Sequence, residues 1–333
     1  MDESARVPSV SPTRSSPPQH LSGDVPPPLQ TVEDSIGPEV QSDVHNTDDA
    51  DSAYDPTPGN VTETTSLASV ITKYREENGR TYHAYGSTEH WGPNDARAQD
   101  QQDLSHHLWL VTLDNKLFLA PVENPQRILD LGCGTGIWAM DVAEQYPNAQ
   151  VKGIELSPIQ PTWTPPNAIF EIDDYNLDWL DENKFDLIHA RELLGSCPDW
   201  VELYKKALKA LKPGGWFDQA EPSLFFTSDH IDLPQEHCYT QWGRLMLDAG
   251  EKSGMTFNIG PYLKEWMEEA GFVNVTMRRV AWPIGKWAKN KSLQEIGFWN
   301  QQRLDAGIQD FCSRRFHNKL GVGTPPDGMI SNS

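Results

Sequence analysis

The chain has 333 residues, 48 acidic against 27 basic, and a formal net charge of −21. Its length admits one large domain or two small ones, and its acidity repels phosphate backbones, which argues against direct nucleic-acid binding. Four scattered cysteines form no CxxC pair, and no apolar run approaches a membrane span or a signal-peptide core; a chain of the reducing interior, cytoplasmic or nuclear and off the membrane, is expected.

Residues 1–65 read as a disordered tail. The first 60 hold ten prolines, eleven Asp or Glu, two Arg and a single aromatic, Tyr54, too little apolar surface to offset the entropy of ordering. Residues 66–122 read as a helical cap. Leu67, Val70, Ile71 and Tyr74 have helical spacing. Pro93-Asn-Asp95 can cap a helix over about Ala96 to Leu113, which carries His106 and His107. Adjacent histidines on a helix point about 100° apart, so they do not share one metal ion comfortably, and at least one is expected to pack or cap. No metal site is expected.

Residues 123–221 alternate strand and helix throughout: Ile128 to Leu131, then helix Ile137 to Gln145, then strands Gln150 to Glu155, Ala168 to Ile172 and Phe185 to Ala190. Asp199 caps a helix with an apolar stripe at Val201, Tyr204, Leu208 and Leu211, Lys212-Pro-Gly-Gly215 stops it, and a fifth strand runs Trp216 to Ala220 and ends at Glu221. This alternation implies an α/β fold with a doubly wound, mostly parallel sheet. In residues 222–311 the rhythm changes. A helix from Pro234 to about Glu251 is a lid candidate, a helix spans Pro261 to Ala270, a strand Val273 to Val280, and a last helix Leu293 to about Phe311. Residues 312–333 read as an irregular tail.

The first core strand breaks into glycines at alternate positions, Gly132, Gly134 and Gly136, and a helix follows. Such a turn brings a ligand against bare main chain beside free helix N–H groups. The dinucleotide fingerprint is G-x-G-x-x-G. Here the pattern is D-x-G-x-G-x-G from Asp130, and Ile137 stands where the last glycine of that fingerprint would fall. The stretch resembles the loop of class I methyltransferases, which use S-adenosylmethionine. Glu155 follows Gly136 by 19 residues at a strand end, where a carboxylate can accept both ribose hydroxyls. Asp173 and Asp174 end the next strand, and one of them can accept the adenine amino group; Asp174 is preferred, with Asp173 as a solvated turn residue. The expected cofactor wall is Asp130, Gly132, Cys133, Gly134, Gly136, Glu155, Leu156, Asp173, Asp174 and His189. Candidates for a general base are His83, His106, His189 and Glu221. The late tryptophans Trp242, Trp266, Trp282 and Trp287 either line an acceptor pocket or pack a core.

From about Tyr74 to Phe311 the chain resembles the LaeA-like fungal methyltransferases. The resemblance rests on Arg80-Thr-Tyr-His83, Pro93-Asn-Asp95, His106-His107, the Leu129 to Gly136 loop, Leu156-Ser-Pro-Ile-Gln-Pro161, Phe170-Glu-Ile-Asp-Asp174 and Trp282-Pro-Ile-Gly285. It implies a class I fold, S-adenosylmethionine as cofactor, and one of two functions. The first is methyl transfer to a small-molecule or protein acceptor within secondary metabolism. The second is a nuclear adaptor that works with velvet-domain proteins and uses the cofactor domain as a scaffold. Two departures stand out. Ala98 and Gln101 occupy cap positions where the family carries acids and an arginine, so an ion pair within the cap is expected to be missing. The family also ends in a further helix and an aromatic strand between strands 5 and 6, which Gly321 to Ser333 do not resemble. Strand 5 and the Val273 strand are therefore expected either to pair differently or to leave an edge exposed.

Overall fold

The structure is a computed structural model, and it describes residues 71–315 apart from 87, 89, 229 and 230. These residues all fall in the compact unit Gly59–Ser333. The acidic tail, most of the Leu67 to Tyr74 helix, and residues 316–333 lie outside the described residues.

The cap opens with a two-stranded antiparallel hairpin, β1 (Arg75–Glu77) and β2 (Arg80–Tyr82). Its turn is Asn78-Gly79, with φ of 51° and 74°. Two successive left-handed residues make the turn type that matches strand twist, and Asn-Gly is its favoured sequence. The cap is therefore not wholly helical. Next comes α1 (Ala96–Thr112), where Asp95 is the N-cap and accepts a hydrogen bond from the Ala98 N–H at 3.1 Å.

The core is a sheet of five parallel strands: β3 (Arg127–Leu131), β4 (Gln150–Glu155), β5 (Ala168–Ile172), β6 (Phe185–Arg191) and β7 (Leu211–Ala220). Their spatial order is β5-β4-β3-β6-β7. The chain winds outward from β3 to β5, returns to β6 and ends at β7, so the winding reverses between β3 and β6, where ligands of open α/β sheets bind. Alternate side chains feed opposite faces. Ile128 and Leu187 pack with α2 (Ile137–Gln145) through Trp138 and Val142. Leu129 and Ile188 pack with α3 (Trp200–Ala210) and, beyond it, with α4 (Cys238–Ser253) through Trp242 and Met246.

Several expectations change here. The apolar face of α3 is Trp200, Leu203, Tyr204, Ala207 and Ala210, and Leu208 is exposed. β7 begins at Leu211 rather than Trp216, with a register shift opposite Phe185 to Leu187. α4 begins at Cys238 behind a His237 cap rather than at Pro234. A helix α5 (Leu263–Ala270) follows, stopped by Gly271 in a left-handed conformation. Val273 to Val280 is not a strand. It has the alternation of one, but among the described residues β7 pairs only with β6, and an alternating segment without a ladder partner forms no strand. The last helix, α6 (Lys291–Arg315), packs along α1.

Ion pairs hold the cap together despite Ala98 and Gln101. Arg80 reaches both Asp95, at 2.6 Å, and Asp310 of α6. Arg314 pairs with Glu77 at 3.0 Å and lies over the Tyr82 ring. No helix of the described residues is long and apolar enough to cross a membrane.

Candidate functional site

One cavity lies at the C-terminal ends of β3 to β6, with the cap along one side. Its floor is the glycine loop from Gly132 to Thr135; Gly136, expected on the wall, is not among its lining residues. Gly132, Gly134 and Gly136 all hold left-handed φ, at 63°, 56° and 79°. A Cβ on Gly132 would stand 2.7 Å from Leu193 Cδ2, and one on Gly136 2.6 Å from Phe170 Cζ. Gln160, from the Leu156-Ser-Pro-Ile-Gln stretch, clamps the loop by donating to the Gly134 carbonyl at 2.7 Å. Thr135 ties it to α1 through Asp103 at 2.7 Å. Cys133 lines the cavity from within the loop.

Glu155 ends β4 beside this loop. It accepts hydrogen bonds from the N–H groups of Gly134 at 3.0 Å and Leu156 at 2.7 Å. Burial raises its pKa, and these N–H groups act the other way. Leu156 is buried and lines the cavity next to it. At the end of β5 it is Asp173, rather than the preferred Asp174, that faces the cavity. Asp174 is only 4% exposed, is absent from the cavity wall, and uses its carboxylate on Thr88 and the Asn176 N–H.

Asp130 and His189 sit side by side on β3 and β6. The His189 Nδ1–H donates to Asp130 Oδ1 at 2.8 Å, and its ring stacks on Trp138 at 3.6 Å with planes 5° apart. Both residues are nearly inaccessible, so they make a fixed wall under the loop.

The other base candidates point elsewhere. His83 does not line the cavity. Its Nε2 accepts the His90 N–H at 3.1 Å, so Nδ1 must carry the proton given to the Tyr85 carbonyl. Burial lowers its pKa, which agrees with a neutral ring. His106 is neutral for the same reason, set between Asp141 at 2.9 Å and Arg191 at 3.0 Å. His107 packs edge-on against Trp299. Glu221 lies behind the cavity wall and clasps the N–H groups of Leu193 and Leu194 at 3.0 and 3.2 Å. Burial pushes its carboxyl up to about 8, outweighing those donors. Of the late tryptophans, none lines the cavity: Trp242 and Trp266 pack the core, Trp282 donates to Thr112, and Trp287 is exposed.

The wall contains groups that sequence reasoning left without a role. Glu192 follows β6 with a left-handed φ of 57°. Trp91 donates to the Leu194 carbonyl at 3.2 Å, and His90 Nδ1 lies 3.0 Å from Ser196 Oγ. From α1, Ala98, Gln101, Gln102 and Ser105 line the cap side. Their i, i+3, i+4 and i+7 spacing was the available signal, a polar helix face turned inward. α4, expected as a lid, supplies none of the lining.

A parallel sheet with this strand order, a D-x-G-x-G-x-G floor and an acid at the end of β4 define a class I methyltransferase. Residues 104–277 match a methyltransferase domain family. The methyltransferase pytC of Aspergillus terreus is 37% identical over 271 residues, covering 81% of this chain and 83% of that protein. The secondary metabolism regulator LAE1 of Cochliobolus heterostrophus is 35% identical over 75% of this chain and 85% of its own. The secondary metabolism regulator laeA of Aspergillus niger is 36% identical over 73% of this chain and 67% of its own. The chain belongs to the LaeA-like methyltransferase family.

Proposed function

We propose that this enzyme transfers a methyl group from S-adenosylmethionine to a small-molecule acceptor in a fungal secondary-metabolite pathway. The observation that carries the reading is the meeting of Glu155, Asp173 and the bare backbone of Gly132 and Gly134 in one cavity. These residues fit the cofactor. Glu155 would accept from the ribose hydroxyls, Asp173 from the adenine amino group, and the loop would carry the methionine end. Asp130 and His189 would hold the loop from below. When bound, S-adenosylmethionine supplies a methyl group already activated on sulfonium, so the protein's main task is to align the acceptor.

Two observations support turnover over a scaffold role. A scaffold needs only the nucleotide half of the cavity, yet polar groups also gather at the other end, around Glu192 and Ser105. The cap lines the cavity along α1, which suits a small acceptor better than a side chain of a folded protein. Incubation of the full chain with methyl-labelled S-adenosylmethionine and a fungal metabolite extract tests this. Label in extractable small molecules is expected; label found only in protein contradicts the choice of acceptor.

A further inference from the structure

We propose that Glu192 takes the proton of the methyl acceptor, and that the acceptor therefore presents an O–H or N–H rather than a carboxylate. This rests on S-adenosylmethionine occupying the cavity as above.

The argument starts from position. Glu155 and Asp173 mark the nucleotide end at β4 and β5, and Glu192 lines the opposite end, just past β6 and against α1. The backbone there is strained. Glutamate at a φ of 57° is in a region that glycine, asparagine and aspartate occupy more readily. Such strain persists where the surroundings over-determine it, and it clusters at functional sites.

The surroundings are specific. Glu192 Oε1 accepts from Ser105 Oγ and from Trp109 Nε1, the latter at 2.7 Å. The buried Arg303 guanidinium donates to the same Ser105 oxygen at 3.3 Å. One carboxylate oxygen is thus anchored by two donors from α1, while Oε2 takes no hydrogen bond from any described residue. A carboxylate held this way has a fixed direction before any acceptor arrives. Of the other base candidates, His189 is committed to Asp130, and Glu221 lies behind the wall with its carboxylate on two backbone N–H groups.

In the transfer, the lone pair of the acceptor oxygen or nitrogen forms the bond to the methyl carbon. The methyl–sulfur bond breaks with its pair left on sulfur, and the acceptor's proton passes to Glu192 Oε2 and then to water. An acceptor carboxylate has no proton to give and would meet like charge.

The test uses the full chain, S-adenosylhomocysteine as binding probe, and methyl-labelled S-adenosylmethionine with a fungal metabolite extract. Label in the wild-type product should survive mild alkali, as methyl ethers and methylamines do. Release as methanol marks a methyl ester and overturns the proposal with no variant needed. Glu192→Gln keeps an oxygen for Ser105 and Trp109 but cannot take a proton. It should bind S-adenosylhomocysteine within twofold of wild type and lose roughly a hundredfold or more in transfer rate. An unchanged rate, or an equal loss of probe affinity, overturns the role of Glu192. Failure of the wild type to bind the probe sinks the cofactor reading instead.

Discussion

The two ends of the cavity are built differently. At the nucleotide end the contacts of the loop are local or run between neighbouring strands, as from Gly134 to Glu155 across 21 positions or from Glu155 to the next residue; the exception is Thr88 to Asp174, across 86 positions. At the cap end they join distant parts of the chain. Ser105 meets Glu192 across 87 positions, Arg80 meets Asp310 across 230, and Arg314 meets Glu77 across 237. The first end is made by a loop with few alternatives, and the second by the docking of α6 onto the cap. The nucleotide end should therefore tolerate damage to the cap better than the acceptor end does.

The sharpest way to break this contrast is at the loop. Gly134→Val places a branched side chain on a left-handed backbone, with its Cβ driven against Gln102 Oε1 in the cavity. S-adenosylhomocysteine affinity should fall by roughly a hundredfold or more, read by calorimetry on protein that still melts cooperatively. Unchanged affinity would mean that the ligand does not lie on this loop.

Damage to the cap should read out as stability. Arg80→Met leaves the carboxylates of Asp95 and Asp310 without their cation, and Asp310 is 5% exposed. Removing one partner of a buried pair costs about 3 kcal/mol or more, visible as an earlier urea midpoint. Cofactor affinity should change less than it does in the loop variant. A shift below about 0.5 kcal/mol would show that the cap is held by something else.

A pH-dependent effect tests the Leu193-Leu194 backbone that Glu221 holds. The Glu221 carboxyl is raised from 4.5 to about 8 in the folded chain. The folded state therefore holds a proton that the unfolded state has already released. The stability that this contributes is full below the unfolded value and is lost as pH rises toward about 8. Chemical denaturation should show wild type losing stability over that range relative to Glu221→Gln. Parallel pH curves for the two proteins would contradict this account.

Legibility in the sequence followed the same division. The spans of α2, β4 and β5 are those expected, because glycine turns and short apolar runs set them locally. Asp95 and Asp199 cap their helices as expected. The β1–β2 hairpin was legible through Asn78-Gly79 but passed over. Val273 to Val280 was misread because alternation is necessary for a strand but not sufficient; the partner is a property of the fold. That Asp173 and not Asp174 faces the cavity goes with the carboxylate that Thr88 occupies, a contact across 86 positions. Glu192 could be placed at the mouth from its position after a strand, but its anchoring by Ser105 and Trp109 required the cap to be docked.

The most direct test of the central claim is a calorimetric titration of S-adenosylhomocysteine into wild type and Glu155→Ala. Glu155 accepts three backbone N–H groups and is the residue proposed to hold the ribose. Removing a charged acceptor of this kind costs roughly 1.5 to 3 kcal/mol. The account predicts saturable wild-type binding, weakened about ten- to hundredfold in a folded Glu155→Ala protein. Affinity within twofold of wild type would contradict it.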